Sequence, residues 1–207
     1  MTLSTSEINE IKTMEYQVEK NKRIRDIKSL GSKLAVETFT SERFVVNDKN
    51  RSAFNAAESF DRTKENMFLC GPTGCGKSHL AAIAARKILE DGGVVDTVTQ
   101  MEISRKIRSA KTPAQEQDGI DNYAFADVLV IDDFGVGKDT EFSISILYEI
   151  IQKRYGNMSG GLIITSNLDL GQISQKIGDE RISSRLSYMC AGRIFKLAGE
   201  RDRRISR

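Results

Sequence analysis

The fold of this chain is decided by one stretch of sequence, Gly71-Pro72-Thr73-Gly74-Cys75-Gly76-Lys77-Ser78. It matches the pattern G-x-x-x-x-G-K-[ST], whose glycines let several backbone N–H groups turn toward one anion. A short apolar segment precedes it at residues 67–70, and an alanine-rich helical segment follows at residues 78–90. The positive end of that helix adds to the anion site. The stretch therefore predicts an ATP-binding loop, with Lys77 on the β- and γ-phosphates and the Ser78 hydroxyl on Mg²⁺.

An acidic pair follows a second apolar segment of the chain. Residues 128–131 read Val-Leu-Val-Ile, which predicts a buried strand, and Asp132 and Asp133 come directly after it. We expect Asp132 to hold the magnesium ion through its water shell, and Asp133 to orient and polarise the attacking water. Two aspartates after a strand can also cap a helix, but the phosphate-binding loop favours the catalytic interpretation.

Strand-like and helix-like segments alternate along the chain, which favours a parallel sheet covered by helices on both faces. Strands are predicted at residues 67–70, 94–98, 128–131, 162–165 and 193–197, and helices at 52–60, 78–90, 104–110 and 142–155. The compact domain is predicted to span residues 38–207. Residues 1–37 are highly charged, with apolar residues at near-helical spacing, so they predict a helical arm that either leans on the domain or docks a partner protein.

Composition excludes several classes of protein. Charged residues make up 29% of the chain, yet the formal net charge is only +2, so a nucleic-acid partner would have to meet a local basic patch. The apolar runs are too short to span a bilayer and the amino terminus has no apolar signal core, so we expect a cytoplasmic protein with no membrane partner. The three cysteines lack metal-ligand spacing and indicate unpaired thiols. The single histidine, His79, excludes sites that need several.

Four motifs in a fixed order carry a resemblance to a known family. They are G-P-T-G-C-G-K-S-H-L-A at 71–81, V-L-V-I-D-D-F-G at 128–135, I-I-T-S-N at 163–167 and D-E-R-I-S-S-R-L at 179–186. Together they resemble the AAA+ ATPases, and more narrowly the DnaC-type helicase loaders and the IstB-type transposition helper ATPases. The resemblance implies a three-layer α/β phosphate-loop NTPase with a parallel five-stranded sheet in the order 5-1-4-3-2. Only about ten residues follow the last predicted strand, so a full helical lid is not expected, as in the loaders.

The resemblance also implies roles for residues outside the first two motifs. Asn167 would be the sensor that hydrogen-bonds the attacking water or the γ-phosphate, although an Asn after a strand can simply form a turn. Arg185 would be an arginine finger that completes the site of a neighbouring subunit, with Arg181 at the interface. The alternative is that both arginines pair with Asp179 or Glu180 on the surface. Arg203 aligns with the arginine of the family's second sensor. His79, directly after the phosphate-binding loop, is also predicted to contact the nucleotide.

Residues 99–127 are longer than a minimal crossover between two strands requires. They include Arg105, Lys106, Arg108 and Lys111, and the corresponding region lines a pore for single-stranded DNA in the initiator and loader relatives. We therefore expect either a basic face that contacts DNA phosphates or a solvated basic helix. Two aromatic residues of this region, Tyr123 and Phe125, are predicted to lie in the core.

These observations leave more than one function open. AAA+ proteins usually carry Asp-Glu at the acidic pair, whereas Asp133 is one methylene shorter, so we expect slow hydrolysis and ATP acting as a switch. The first hypothesis is a loader that binds single-stranded DNA and a replicative helicase and self-associates head-to-tail through Arg185. The alternatives are an IstB-like helper on duplex DNA and a hydrolysis-poor adaptor; a small-molecule kinase is disfavoured by the sensor-like segment 163–167.

Phe44 and Val45 are predicted to touch the base of the bound nucleotide.

Overall fold

Five parallel strands form the centre of the computed structural model, which describes residues 38–63, 65–137, 140–157 and 160–199. The strands are β1 Asn66–Cys70, β2 Val95–Thr99, β3 Val128–Phe134, β4 Gly161–Ser166 and β5 Ile194–Lys196. They lie in the order β2-β3-β4-β1-β5, and every pairing is parallel. The predicted α/β fold and its sheet order 5-1-4-3-2 are therefore confirmed.

Helices cover both faces of this sheet. They are α1 Arg51–Glu58, α2 Lys77–Glu90, α3 Gln100–Arg108, α4 Pro113–Ala124, α5 Glu141–Asn157, α6 Leu170–Ile177 and α7 Glu180–Met189. One core contains α1 and α2 and includes Met67 and Leu69. The other contains the remaining helices and includes Phe68 and Cys70. Because successive strand residues point to opposite faces, this alternation produces three layers.

Helices α3 and α4 differ from the sequence prediction. Helix α3 begins at Gln100, four residues before the predicted start, because Thr99 and Glu102 form a reciprocal capping box at its amino end. A second helix, α4, follows and begins at Pro113 behind the cap residue Thr112. Proline is favoured at the first position of a helix, because the N–H that it lacks would have no partner within the helix there. The segment between β2 and β3 is therefore a pair of helices.

The predicted core position is right for Tyr123 and wrong for Phe125. Tyr123 is 7% exposed, whereas Phe125 is 56% exposed. Phe125 stands one residue beyond α4, where the chain leaves the helix and turns toward β3, so it no longer shares the buried face of that helix. Within the residues that the structure describes, none of the helices is both long enough and apolar enough to cross a membrane.

Candidate nucleotide-binding site

The glycine-rich loop runs between the end of β1 and the start of α2, where the sequence predicts it. Gly71 and Gly76 have φ angles of 145° and 102°, which L side chains rarely adopt. A Cβ at Gly71 would lie 2.4 Å from the carbonyl oxygen of Leu197, and one at Gly76 would lie 2.9 Å from the Phe44 ring. Pro72 and Thr73 are exposed, and Gly74 and Cys75 are half-buried. These two positions therefore have no room for a side chain, and only glycine fits the loop there.

Lys77 links this loop to the end of β4. Its side chain is 6% exposed, and its Nζ donates to the carbonyl oxygens of Gly71 and Pro72 and to Oδ1 of Asn167, each at 2.9 Å. The predicted sensor Asn167 is therefore in direct contact with the predicted phosphate-binding lysine. The two residues are 90 positions apart in the chain, and only the pairing of β1 with β4 brings them together.

The end of β3 meets the loop at Ser78. The Ser78 hydroxyl donates to Oδ1 of Asp132 at 3.0 Å, and the buried Thr165 hydroxyl donates to the same oxygen. Thr165 Oγ1 also accepts the backbone N–H of Asp133 at 3.0 Å. Sequence reasoning did not assign a role to Thr165, although it stands two residues before Asn167 in the I-I-T-S-N motif.

These oxygen groups fit a magnesium ion better than a transition metal. Mg²⁺ is held in proteins by one or two carboxylates together with substrate phosphates and water, and Asp132 with Ser78 provides that partial set. Within the described part of the chain, no group of three or more His, Cys, Asp or Glu residues could hold a metal. Ser78 and Asp132 would hold the ion, which would supply positive charge to the phosphate oxygens.

Asp133 has an unusual backbone conformation. Its φ is 54°, which makes it the one non-glycine residue with positive φ in the described chain. The β3–β4 register shifts between Ile131 and Phe134, so an irregularity surrounds the acidic pair. Bulges re-aim side chains, and positive φ at such a position is associated with functional sites. The Asp133 side chain is exposed, whereas its neighbour Asp132 is held by two hydroxyls.

The segment before α1 packs against the loop through His79. The His79 ring stacks on Phe39 with centroids 4.7 Å apart, lies edge-on to Phe44 at 5.1 Å, and its Nε2 is 2.8 Å from the Thr40 carbonyl oxygen. Phe44 is buried beneath the loop, whereas Val45 is 61% exposed. Contact of Phe44, Val45 or His79 with a nucleotide stays a prediction.

Arg181 and Arg185 lie on α7 and contact α5. Arg181 pairs with Asp179 at 2.7 Å, as the surface-pair alternative predicts. Arg185 instead hydrogen-bonds Tyr148, Gln152 and the backbone of Arg181, so its contacts are not with the glycine-rich loop of its own chain. Arg203 and the amino-terminal arm at residues 1–37 lie outside the described residues, so their predicted roles are untested.

The basic residues of α3 point in different directions. Arg105 and Arg108 line an open cleft of about 520 Å³ between α3 and the residues that follow β3. The exposed side chains of Met101 and Val136 lie in the same cleft. Lys106 instead places its Nζ 5.1 Å from the ring centroid of Tyr123 on α4. The predicted basic face is therefore divided, and two of its four cations share one concave surface.

The sheet order, the glycine-rich loop and the Ser78–Asp132 contact define a phosphate-loop NTPase with an AAA+ core. The sequence model of one family, described as IstB-like ATP binding protein, matches residues 5–191. The chain therefore belongs to this family of ATP-binding proteins.

Individual relatives fall into two groups. A protein of insertion sequence IS5376 from Geobacillus stearothermophilus, named as ATP-binding, is 25% identical over 92% of this chain and 76% of its own length. The replicative helicase loader DnaC of Escherichia coli K12 is 26% identical over 62% of this chain, and the match spans only 53% of DnaC. The crystal structure of a DnaC helicase loader has a TM-score of 0.67 at 18% identity, covering 79% of this chain and 98% of that one. This last similarity shows the fold alone.

Proposed function

We propose that this protein hydrolyses ATP slowly with Mg²⁺ and uses the nucleotide as a switch for assembly on DNA. The observation that carries the proposal is the set of contacts joining three strand ends. Ser78 bonds Asp132 at the end of β3, and Lys77 bonds Asn167 after β4. A phosphate held by the loop after β1 would therefore meet a lysine, an acidic pair and a neutral amide.

Each residue has a defined task in this proposal. The loop N–H groups and Lys77 bind the phosphates and neutralise charge. Asp133 orients the attacking water and polarises it, and Asn167 holds the water or the γ-phosphate in line. Thr165 fixes the acidic pair, because its hydroxyl contacts both Asp132 and the backbone of Asp133. Arg185 of a neighbouring copy completes the site.

Slow turnover follows from the acidic pair. The Asp133 carboxylate is one methylene closer to the backbone than a glutamate would be, which increases its distance from the water. We therefore expect turnover well below about 10 s⁻¹, the typical enzyme value. A steady-state phosphate-release assay with and without Mg²⁺ tests this, and a turnover above that value would contradict the switch.

The cleft beside α3 is the proposed DNA contact. Arg105 and Arg108 present two cations to one surface, and Met101 and Val136 offer apolar area between them. Arginines bind phosphates well, and apolar side chains can contact bases without reading their edges. The expected binding is weakly selective and strongly salt-dependent.

Fluorescence anisotropy with a labelled oligothymidine tests this contact. Replacing Arg105 and Arg108 by Ala should weaken binding by at least about tenfold and reduce the slope of log affinity against log salt by about 1.4 for two lost single-strand contacts. Lys106→Ala is the matched control for each single arginine substitution, because it removes one positive charge from the same helix outside the cleft. Equal effects of all three substitutions would show that the cleft is not the site.

A second candidate function is favoured by the family itself. The matched family is IstB-like, and the IS5376 relative aligns over more of the chain than DnaC does. A loader should prefer single-stranded DNA and co-purify with a replicative helicase, whereas a transposition helper should prefer duplex DNA and co-purify with a transposase. The arm at residues 1–37 is the proposed docking segment for either partner, and deleting it should abolish co-purification without changing ATP affinity.

A further inference from the structure

Tyr148 on α5 is the contact point of both arginines of α7. The guanidinium carbons of Arg181 and Arg185 lie 4.3 Å and 4.8 Å from the centre of its ring. The Tyr148 hydroxyl accepts a hydrogen bond from Nη2 of Arg185 at 3.1 Å. One side chain therefore contacts Arg185 through both its ring face and its hydroxyl.

Two further bonds fix the direction of the Arg185 guanidinium. Its Nε donates to Oε1 of Gln152, one turn along α5 from Tyr148, and its Nη1 donates to the backbone carbonyl of Arg181 at 3.1 Å. A guanidinium has five N–H donors, so these three bonds leave one N–H on each Nη atom. With one donor on each Nη atom, a guanidinium can still bind a phosphate through two of its oxygens.

The two arginines differ in how their charge is balanced. Arg181 is paired with the Asp179 carboxylate. Within the described residues Arg185 makes no ion pair, and its hydrogen-bond partners are a phenol, an amide and a carbonyl, all neutral. Stacking on an aromatic ring holds a guanidinium without neutralising it. Arg185 is also only half-buried, so another molecule can approach its guanidinium.

We propose that Tyr148 is a positioning residue that aims Arg185 at the nucleotide bound by a neighbouring copy of this chain. The inference rests on the proposed function, in which Arg185 acts between subunits. What is new is that Tyr148 on α5 fixes the orientation of this arginine, and that Gln152 contributes a second hydrogen bond to it. A misdirected arginine loses its effect on developing phosphate charge even when the charge itself is retained.

Mixing two impaired variants tests the proposal directly. Tyr148→Leu should lower ATP turnover by about tenfold to a hundredfold while leaving the affinity for a fluorescent ATP analogue unchanged. Lys77→Ala should be inactive because its own loop is damaged, yet its Arg185 remains correctly held. In an equimolar mixture, about a quarter of the interfaces pair an intact loop with an intact arginine, so turnover should return to about a quarter of the wild-type value.

The reference mixture is Arg185→Ala with Lys77→Ala. If this mixture fails to recover activity, the arginine does not act between subunits, and the proposed function itself is contradicted along with the role of Tyr148. If it recovers and the Tyr148→Leu mixture does not, only the positioning role of Tyr148 is overturned. Unchanged turnover of Tyr148→Leu alone would also overturn it.

Three more variants separate positioning from folding. Tyr148→Phe keeps the ring but loses the hydroxyl, so it should retain more turnover than Tyr148→Leu. Gln152→Leu breaks the second support without touching the ring and, if Tyr148→Leu does not fold, takes its place in the mixing experiment with the same outcomes. Tyr188→Leu is the control: Tyr188 packs edge-on against Tyr155, whose ring centre lies 5.9 Å from the Arg185 guanidinium. This substitution removes a neighbouring aromatic side chain without removing a direct contact of Arg185, so its turnover should stay close to the wild-type value.

Discussion

Arg154 and Arg185, two of the arginines at α5, are held in opposite ways. Arg154 belongs to the last turns of α5 and is 1% exposed, whereas Arg185 reaches α5 from α7 and is half-buried. In the described chain neither makes an ion pair. Arg154 donates to four backbone carbonyls, those of Tyr123, Ala124, Ala126 and Gly161. Arg185 makes three hydrogen bonds and retains donors at its tip.

This difference separates a structural arginine from one available for chemistry. Burial lowers the pKa of Arg154 to about 10, so the side chain remains charged at neutral pH. Its bonds connect the end of α4 and the start of β4 to α5, at the end of the sheet opposite the glycine-rich loop. Arg185 contacts the same helix from α7, and its hydrogen-bond partners are all neutral. Both Nη atoms of Arg154 donate to backbone carbonyls, and only its buried Nε lacks an acceptor. The open donors of Arg185 are on its Nη atoms, where another molecule can reach them.

Replacing Arg154 gives the largest expected effect and tests the comparison most directly. Arg154→Met should lower the free energy of unfolding by about 3 kcal/mol or more, because buried carbonyls lose their donor. Urea unfolding followed by circular dichroism measures this. Arg185→Met is the matched substitution and should change the free energy of unfolding by less than about 1 kcal/mol while reducing ATP turnover. Equal losses of stability in the two variants would remove the distinction.

The two aspartates of the acidic pair also differ, in exposure and in backbone conformation. Asp132 is bound by the hydroxyls of Ser78 and Thr165, whereas Asp133 is exposed with φ at 54°. Asn tolerates that conformation as well as Asp does, so Asp133→Asn removes the charge without new strain. We expect turnover to fall about a hundredfold, with the thermal midpoint and ATP affinity unchanged.

Two other outcomes of that substitution carry information. Unchanged turnover would mean that Asp133 does no catalysis and would favour the hydrolysis-poor adaptor. Asp132→Asn serves as the control, and it should weaken the Mg²⁺ dependence of ATP binding because the metal-holding carboxylate is lost. If both variants lose ATP affinity equally, the two aspartates do not have separate tasks.

The sequence predicts the strands well, for a physical reason, whereas their order came from the resemblance to the AAA+ ATPases. Parallel strands buried on both faces read as short apolar runs, and all five predicted runs overlap observed strands. The glycine-rich loop is equally readable, because phosphate binding imposes the spacing of its residues. Asp132 could be selected because it directly follows a buried apolar run. The start of α3 was less predictable, since Thr99 and Glu102 form their capping box at the end of a strand.

Contacts with the backbone account for most of what the sequence could not reveal. Arginine is usually exposed, and the four partners of Arg154 are carbonyls, which have no sequence signature. Lys106 faces Tyr123 on α4, whereas Arg105 and Arg108 face the cleft. Which of these side chains faces which way depends on how α3 is rotated against α4, and a run of charged residues does not predict that rotation. Thr165 was overlooked because threonine is common in buried strands. Its role becomes visible only in the structure, where its hydroxyl donates to Asp132.

The cysteines provide the last and smallest test of the same division. Burial raises the pKa of the Cys190 thiol to about 12 and also raises the pKa of Cys70, so both thiols should resist alkylation at neutral pH. Cys75 is half-buried in the glycine-rich loop, with its Sγ 3.9 Å from Nζ of Lys77. N-ethylmaleimide should therefore modify Cys75 selectively in the nucleotide-free protein. The modification should weaken ATP binding about tenfold, because the added group obstructs the loop. Added ATP should slow the reaction. Mass spectrometry of the labelled peptide identifies the site. Cys75→Ser should bind ATP normally and resist the inhibition, and an inert Cys75 in the nucleotide-free protein would contradict its proximity to the phosphates.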